Sequence, residues 1–332
     1  MIQHLRYFFL TVPAFFLCET SSFAAVYELP SLENNIIGSI KTIKAEHKDT
    51  LLDIARRHGL GFEDIVKANP DLDIWIPGKD SDVLLPTKYI LPNVRREGLV
   101  LNLAEYRMYY FPAPKKNEKP IVITYPISIG RMDWDTPLGE TRITAKAKNP
   151  SWYPPESIRA EHEAEGDPLP RIVPPGPDNP LGEYAMRLDI PGYLIHGTNR
   201  PAGVGMRVTH GCIRMYPEDI LFLYNELKIG TPVRIINEPI KLGWDERKLF
   251  LEVHSSLDSK REVNKSFLYE NDNLPKKHNL TILTEKIIAV TKESNRDAID
   301  WQMAETTLVN PSGIPVIIGS KLPKAMQGKA FK

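Results

Sequence analysis

The stretch YLIHGTNRPAGVGMRVTHGCIRM, residues 193–215, decides how the rest of the chain is read. It places Cys212 two residues after His210, with Gly211 between them and Arg214 two further on. On an extended backbone alternate side chains share a face, so His210, Cys212 and Arg214 are expected to point the same way. Gly211, with no side chain, lets another backbone approach between them. A free thiol is only a few per cent thiolate near pH 7. A neighbouring imidazole takes its proton or, once protonated, stabilises the thiolate. The pair therefore reads as a nucleophile and its base. Two other readings fit the spacing. One is a core histidine beside a core cysteine. The other is a metal set of His196, His210 and Cys212, although no familiar zinc spacing is present.

The cysteine count bears on that choice. The chain has 332 residues and two cysteines, Cys18 and Cys212. Cys18 lies in MIQHLRYFFLTVPAFFLCETSSFAA, where Arg6 precedes an apolar run from Tyr7 to Leu17 and small residues follow. This is the pattern of a secretory signal, residues 1–24, cut after Ala24. The run falls short of the ~20 apolar residues that a spanning helix needs, and no later segment supplies them. We therefore expect an exported protein of the periplasm or cell envelope, with no transmembrane anchor. Once the leader is removed, Cys212 is alone in an oxidising compartment. An odd cysteine there signals an intermolecular bridge or a reactive thiol. Lys plus Arg and Asp plus Glu balance at 42 each, so no charge excess argues for nucleic acid or an anionic membrane.

Along the chain, IKAEHKDTLLDIARRHGLGFEDIVKANPDLD predicts two short helices, the first opened by Thr50 and Asp53 as a capping box and stopped by Gly59. Short strands flank them. GLVLNLAEYRMYYFP, PIVITYPISIG, LGETRITAKAKNP, YAMRLDI, YLIHGT and GTPVRIIN read as strands, and PEDILFLYNEL as a helix with proline at its first position. Ten of the 29 prolines lie between residues 150 and 191, which predicts a long functional loop. Beyond Asn237 we expect a hairpin in EPIKLGWDERKLFLEVHSSLD, a polar and mobile segment 257–279, helices in LTEKIIAV and DAIDWQMAETTL, and a strand in GIPVIIG. The fold class is mainly β, α+β overall.

Two resemblances sharpen this reading. Residues 41–87, through KDTLLDIARRHGLGFEDIVKANP and the closing LLP, resemble a LysM domain, the βααβ module that binds N-acetylglucosamine-containing glycans. The link DLDIWIPGKDSD is longer than usual for that family. Residues 97–237 closely resemble the catalytic domain of the L,D-transpeptidases, the YkuD-like cell-wall enzymes. The matching pieces are His196-Gly197-Thr198, then Thr209-His210-Gly211-Cys212 with Arg214, and an upstream strand-turn with Gly130, Thr136, Pro137 and Gly139. NPSWYPP and the extension 238–332, partly mobile, are similar to features of the Gram-negative envelope enzymes of this type.

The second resemblance implies roles that spacing cannot supply. Cys212 would be the nucleophile and His210 its acid/base partner, oriented by a backbone carbonyl. His196 would help hold donor or oxyanion, and Arg214 would structure the site or meet a substrate carboxylate. Backbone N–H groups around Gly211 and Cys212 would form the oxyanion hole, and Thr198 and Thr209 would line the substrate site. The Pro-rich block, residues 150–182, would cover the cleft, and its acids Glu156, Glu161, Glu163, Glu165 and Asp167 would attract a cationic amine. The implied reaction is attack on the position-3 carbonyl of a peptidoglycan tetrapeptide stem, release of D-Ala, and transfer of the acyl group to an amine, without cofactor or metal. The acceptor would be a second stem, giving a 3–3 crosslink, or a lysine of an envelope lipoprotein. The alternatives are an L,D-carboxypeptidase and a LysM glycan-binding protein with an inactive catalytic domain.

Overall fold

The computed structural model describes residues 25–31, 34–131, 134–257, 274–291 and 297–321. The expected signal segment 1–24 lies outside the described residues, as does most of the polar segment 257–279. The first described strand is β1 (Ala25–Glu28), followed by β2 (Ile36–Gly38) and β3 (Lys41–Lys44). Helices α1 (Leu51–Arg57) and α2 (Phe62–Ala68) come next, then β4 (Asp82–Leu85) and β5 (Lys88–Ile90). Thr50 caps α1 reciprocally: its hydroxyl accepts from the Asp53 N–H at 3.0 Å, and the Asp53 carboxylate accepts from the Thr50 N–H at 3.1 Å. Asn69 ends α2 and ties it to β4, donating to the Ile65 and Leu84 carbonyls and accepting from the Leu84 N–H.

The central strands are β6 (Gly98–Asn102), β7 (Arg107–Phe111), β8 (Ile121–Pro126), the short β9 (Ile129–Gly130) and the long β10 (Gly139–Lys148). After helix α3 (Glu156–Ala164) come β11 (Tyr184–Leu188), β12 (Leu194–His196), β13 (Arg207–Thr209) and β14 (Ile213–Arg214). Helix α4 (Pro217–Glu226) and β15 (Pro232–Ile236) close this part. Nine strands form one sheet in the order β1-β8-β7-β6-β15-β10-β11-β12-β14, and β13 pairs separately with β9.

Strands β6 to β8 are buried on both faces. Leu99, Leu101, Met108, Tyr110, Ile123 and Tyr125 enter one core with Ile195, Ile213, Ile220 and Leu223. Their alternate neighbours Val100, Tyr109, Phe111 and Val122 enter a second core with Leu51, Ile54, Ile65 and Leu85 of the N-terminal block. That is the period of two expected of a strand, with both phases apolar. The block is therefore packed on the sheet. Polar ties reinforce it: Arg107, only 1% exposed, donates to Asp64 at 2.5 Å, and Arg56 makes two bonds of 2.7 Å to Glu218 beside the start of α4.

The Pro-rich block between β10 and β11 contains helix α3, where sequence alone predicts a loop. Its base is closed by a Trp152–Val173 bridge and by the Asn179 amide, which donates to the Pro150 and Pro174 carbonyls. Beyond residue 237, β16 (Ile240–Asp245) and β17 (Lys248–Val253) form the expected hairpin. Helix α5 (Leu274–Thr291), β18 (Asp297–Ile299), helix α6 (Trp301–Val309) and β19 (Val316–Lys321) complete it. The second sheet runs β16-β17-β19-β18, with Leu283, Ile287 and Ala304 of the helices in its core.

A buried ionic cluster joins the three parts. Lys241 of β16 lies 2.7 Å from Glu105 and 2.7 Å from Glu252, and donates to the Ile90 carbonyl at 2.6 Å. Glu252 also accepts from the Ile90 N–H, and Glu105 from Tyr109 and Asn102. Glu105, Glu252 and His254 bring three ligand atoms within 4.8 Å, the spacing of a cation site, and the Lys241 ammonium answers their charge. Burial alone would lower the pKa of Lys241, yet the two carboxylates outweigh it and hold it raised. Removing one partner leaves an uncompensated buried charge, a loss of about 3–5 kcal/mol. Lys241→Met should lower stability by that order in urea unfolding at pH 7. The deficit should shrink as pH falls and the facing carboxylates take up a proton. An unchanged midpoint would show that the cluster does not hold the parts together.

Candidate active site

Strands β12 and β14 run parallel, with Ile195 beside Ile213 and His196 beside Arg214. Between β13 and β14, residues 210–212 leave the strand and bend. The expectation of one extended run, with His210, Cys212 and Arg214 on a shared face, is therefore corrected. The cause is Gly211, whose φ of 97° lies in the left-handed region that favours glycine. A Cβ there would stand 2.8 Å from the Tyr193 ring. The Gly211 carbonyl accepts from the Thr136 hydroxyl at 2.9 Å, which in turn accepts from the Gly130 N–H at 3.2 Å. This gives the upstream Gly and Thr-Pro-x-Gly pattern a physical purpose: it braces the bend. Inside the bend, the Thr209 hydroxyl donates to the Cys212 carbonyl at 2.6 Å. Thr198 accepts from the Arg200 N–H at 2.9 Å. Both threonines are buried, so their hydroxyls shape turns.

Cys212 is a free, half-buried thiol. Its Sγ points to the Gly192 carbonyl at 3.7 Å. Burial pushes the thiol pKa up, opposed by a backbone bond at Leu194 and by the Arg214 charge. The resting sulfur is thus protonated at neutral pH and needs a base to become a nucleophile. His210 is half-buried, with the Trp134 ring edge-on at 5.2 Å. Its Nε2 lies 3.1 Å from Glu161 of α3. Burial lowers the His210 pKa, and the Glu161 carboxylate works against that.

His196 is buried and its Nδ1 lies 2.6 Å from the Gly197 carbonyl. Only a protonated Nδ1 can make that bond, which leaves Nε2 as an acceptor. Burial first, and then Arg214, lower its pKa to about 4, so the ring is neutral at pH 7. In this state it has no N–H to offer an oxyanion. His196, His210 and Cys212 do not form a metal-ligand grouping; among the described residues that spacing occurs at Glu105, Glu252 and His254. Arg214 is fixed through its backbone, which exchanges two hydrogen bonds with Ser128. Its Nε is buried with no hydrogen-bond partner among the described residues. Burial, then Arg200, lower its pKa. A half-buried guanidinium of this kind is suited to an incoming carboxylate or carbonyl.

Three contributors escaped the sequence reading, Arg131, Trp134 and Tyr193, and Glu161 was expected only as one of the acids of the Pro-rich block. The Glu161 carboxylate pairs with the Arg131 guanidinium as well as with His210. Tyr193 packs against Gly211, and its hydroxyl donates to the Asp135 carbonyl at 3.1 Å. A cavity of about 270 Å³ shares Gly130 and Thr136 with this site and continues past Leu138 and Arg207.

Comparison with known proteins agrees with this architecture. The YkuD profile, the L,D-transpeptidase catalytic domain, matches residues 96–235. The chain is 34% identical over 303 residues to the probable L,D-transpeptidase YbiS of Escherichia coli strain K12, covering 90% of this chain and 93% of that one. It is 41% identical over 243 residues to the probable L,D-transpeptidase YcfS of the same strain, covering 71% and 75%. It is 36% identical over 306 residues to the probable L,D-transpeptidase ErfK/SrfK of Salmonella typhimurium strain LT2, covering 91% and 94%. With this likeness running through 93% and 94% of the length of YbiS and ErfK/SrfK, the chain belongs to the L,D-transpeptidase family.

Proposed function

We propose that Cys212 is the nucleophile of a peptidoglycan L,D-transpeptidase and His210 its acid/base partner. The observation that carries the reading is a free, half-buried thiol on a glycine-braced bend, one residue removed from a histidine held by a carboxylate. In the first half-reaction the thiol proton passes to His210 and sulfur attacks the position-3 carbonyl of a tetrapeptide stem. Backbone N–H groups near Gly211 and Cys212 receive the developing oxyanion. The bond to D-Ala breaks, the amine leaves with the proton from His210, and a thioester remains. An amine then attacks the thioester, its proton returns to His210, and the thiol is regenerated. The half-buried Arg214 meets a stem carboxylate.

The acceptor we favour is a second stem, giving a 3–3 crosslink, with a lipoprotein lysine as the second choice. Water would compete with either, and the Pro-rich block over the site limits its access. The acids of that block, Glu156, Glu161, Glu163, Glu165 and Asp167, attract a cationic amine. The N-terminal block, residues 41–87, is read as a LysM glycan-binding module. Its long link between α2 and β4 carries Trp75 and Ile76, 63% and 77% exposed. Asp73 holds both of their N–H groups at 2.8 Å, presenting the pair to solvent. An indole face is suited to stacking on a sugar ring. Residues 1–24 are read as a secretory signal, which places the protein in the periplasm.

Two outcomes test this. Cys212→Ala should fold normally and form no adduct with a tetrapeptide stem or a carbapenem by intact mass. An adduct on that variant would sink the assignment. His210→Ala should acylate about 10²–10⁴-fold more slowly, the usual loss when a general base is removed. The glycan-binding reading is tested separately with Trp75→Ala combined with Ile76→Ala. This variant should be retained several-fold less by isolated sacculi and should still acylate with a soluble stem. Unchanged retention would reject the module's proposed role.

A further inference from the structure

The carbonyl of Gly211 and the N–H of Cys212 belong to one peptide group, and that group is held from one end. The Thr136 hydroxyl donates to the Gly211 carbonyl at 2.9 Å, and its oxygen accepts from the Gly130 N–H at 3.2 Å. A carbonyl only accepts and a backbone N–H only donates, so the hydroxyl proton has one direction to take. The other end of the peptide, the Cys212 N–H, makes no hydrogen bond among the described residues. In a trans peptide the C=O and N–H point opposite ways, so this N–H faces away from Thr136.

The surroundings make Thr136 a fixed point. It is buried. A Cβ on Gly130 would stand 2.9 Å from the Gly211 Cα, so strand-turn and bend meet backbone to backbone. Arg207 ties the turn down, donating to the Gly130 carbonyl and to the Asp135 carboxylate, each at 2.9 Å. The Tyr193 hydroxyl holds the Asp135 carbonyl from the other side at 3.1 Å. The peptide after Gly211 has no such support of its own. A glycine lacks the Cβ that restricts its backbone, so the following peptide group turns over at little cost unless something holds it.

We propose that Thr136 is a positioning residue for the oxyanion hole: its hydroxyl fixes which way the Gly211–Cys212 peptide faces and polarises it, presenting the Cys212 N–H to the oxygen of the carbonyl under attack. The inference rests on Cys212 being the nucleophile and its N–H an oxyanion donor. In the attack a bond forms between sulfur and the carbonyl carbon, and the C=O π pair moves onto oxygen, where the Cys212 N–H meets it. When that pair returns, the C–N bond breaks and the D-Ala nitrogen leaves with the proton that sulfur gave up. Hydrogen bonds in series polarise one another, so the run from Gly130 N–H through the Thr136 hydroxyl to the Gly211 carbonyl strengthens the donor at its far end. Without the hydroxyl, a turned-over peptide puts a carbonyl oxygen where negative charge has to form.

Thr136→Val keeps the shape and removes the hydroxyl; Thr136→Ser keeps the hydroxyl and removes the methyl group. We expect the first-order rate of carbapenem acylation to fall about tenfold in Thr136→Val, short of the ~10²–10³ lost when an oxyanion donor is removed outright. The carbapenem concentration giving half the maximal rate should stay unchanged, since binding before attack puts no charge on the oxygen. Thr136→Ser should recover most of the rate. In the infrared difference spectrum of the acyl-enzyme, the thioester carbonyl band should lie at higher wavenumber in Thr136→Val than in the wild type, because a weaker donor polarises it less, and Thr136→Ser should return it. Thr136→Ala replaces the valine variant if that does not fold, with the same direction expected of rate and band. An equal loss in Thr136→Val and Thr136→Ser, or weakened binding with an unmoved carbonyl band, would make Thr136 a structural brace only and overturn the proposal. So would a wild-type rate in Thr136→Val. The site of the adduct separates this from the nucleophile reading. With the adduct on Cys212 and Thr136→Val normal, the positioning role alone fails. An adduct that persists in Cys212→Ala removes the nucleophile, and this proposal with it.

Discussion

The double burial of β6, β7 and β8 is the constraint from which the rest follows. A strand with apolar side chains on both faces must be covered twice. One cover is α4 with the strands that carry the site, and the other is the N-terminal block. Apolar burial is worth roughly 25 cal/mol per Å², and the side chains facing the block include Tyr109 and Phe111, among the largest in the chain. The block cannot leave without exposing them. Arg107 adds a second penalty, since its buried guanidinium has Asp64 of the block as its carboxylate partner. A covering module and a covered sheet are thus one cooperative structure.

The site itself depends on a smaller constraint. Gly211 turns the chain between two short strands, and everything that touches it is arranged around the missing side chain: the Tyr193 ring on one side, the Thr136 hydroxyl at its carbonyl. The bend gives His210 and Cys212 separate surroundings. The thiol turns toward Gly192 and the imidazole toward α3. Electrostatically the arrangement is quiet at neutral pH, with a protonated thiol and a neutral His196. The Glu161 carboxylate lies against the His210 ring, and the Arg214 charge acts on the thiol from the neighbouring strand.

Much of this was legible in the sequence, and the residues show why. The strands β6 to β8, β11 and β12 announce themselves through branched and aromatic residues, and α1 through Thr50 and Asp53. Cys212, His210 and Arg214 stand out because they are close in sequence and chemically distinct. Helix α3 did not stand out. Only Ile158 among its residues is buried, so it carries no apolar periodicity, although its Glu, Ala and Arg content and the following Gly166 were available as signals. The pairing of Glu161 with Arg131 and His210 could not be found that way, since those partners lie 30 and 49 residues off. The extended geometry expected at 210–212 failed because Gly211 was read as open space when its use is conformational. The packing of the N-terminal block was written in the uninterrupted apolar runs of β6 and β7, which mark a strand covered on both faces.

Gly61 and Gly205 meet backbone to backbone: a methyl group on Gly61 would come within 2.7 Å of the Gly205 Cα, and one on Gly205 within 2.4 Å of the Gly61 Cα. Beside them the first N–H groups of α2 donate to the Val204 and Gly205 carbonyls, just ahead of β13. The block and the segment that feeds the Cys212 bend therefore share one frame of reference, with no slack chain between them. A load applied to the block is delivered to that segment instead of being absorbed by a linker. A protein tethered to a stretched polymer through such a block would have Cys212 held at a set offset from the anchor, as the jaw of a caliper is held from its beam.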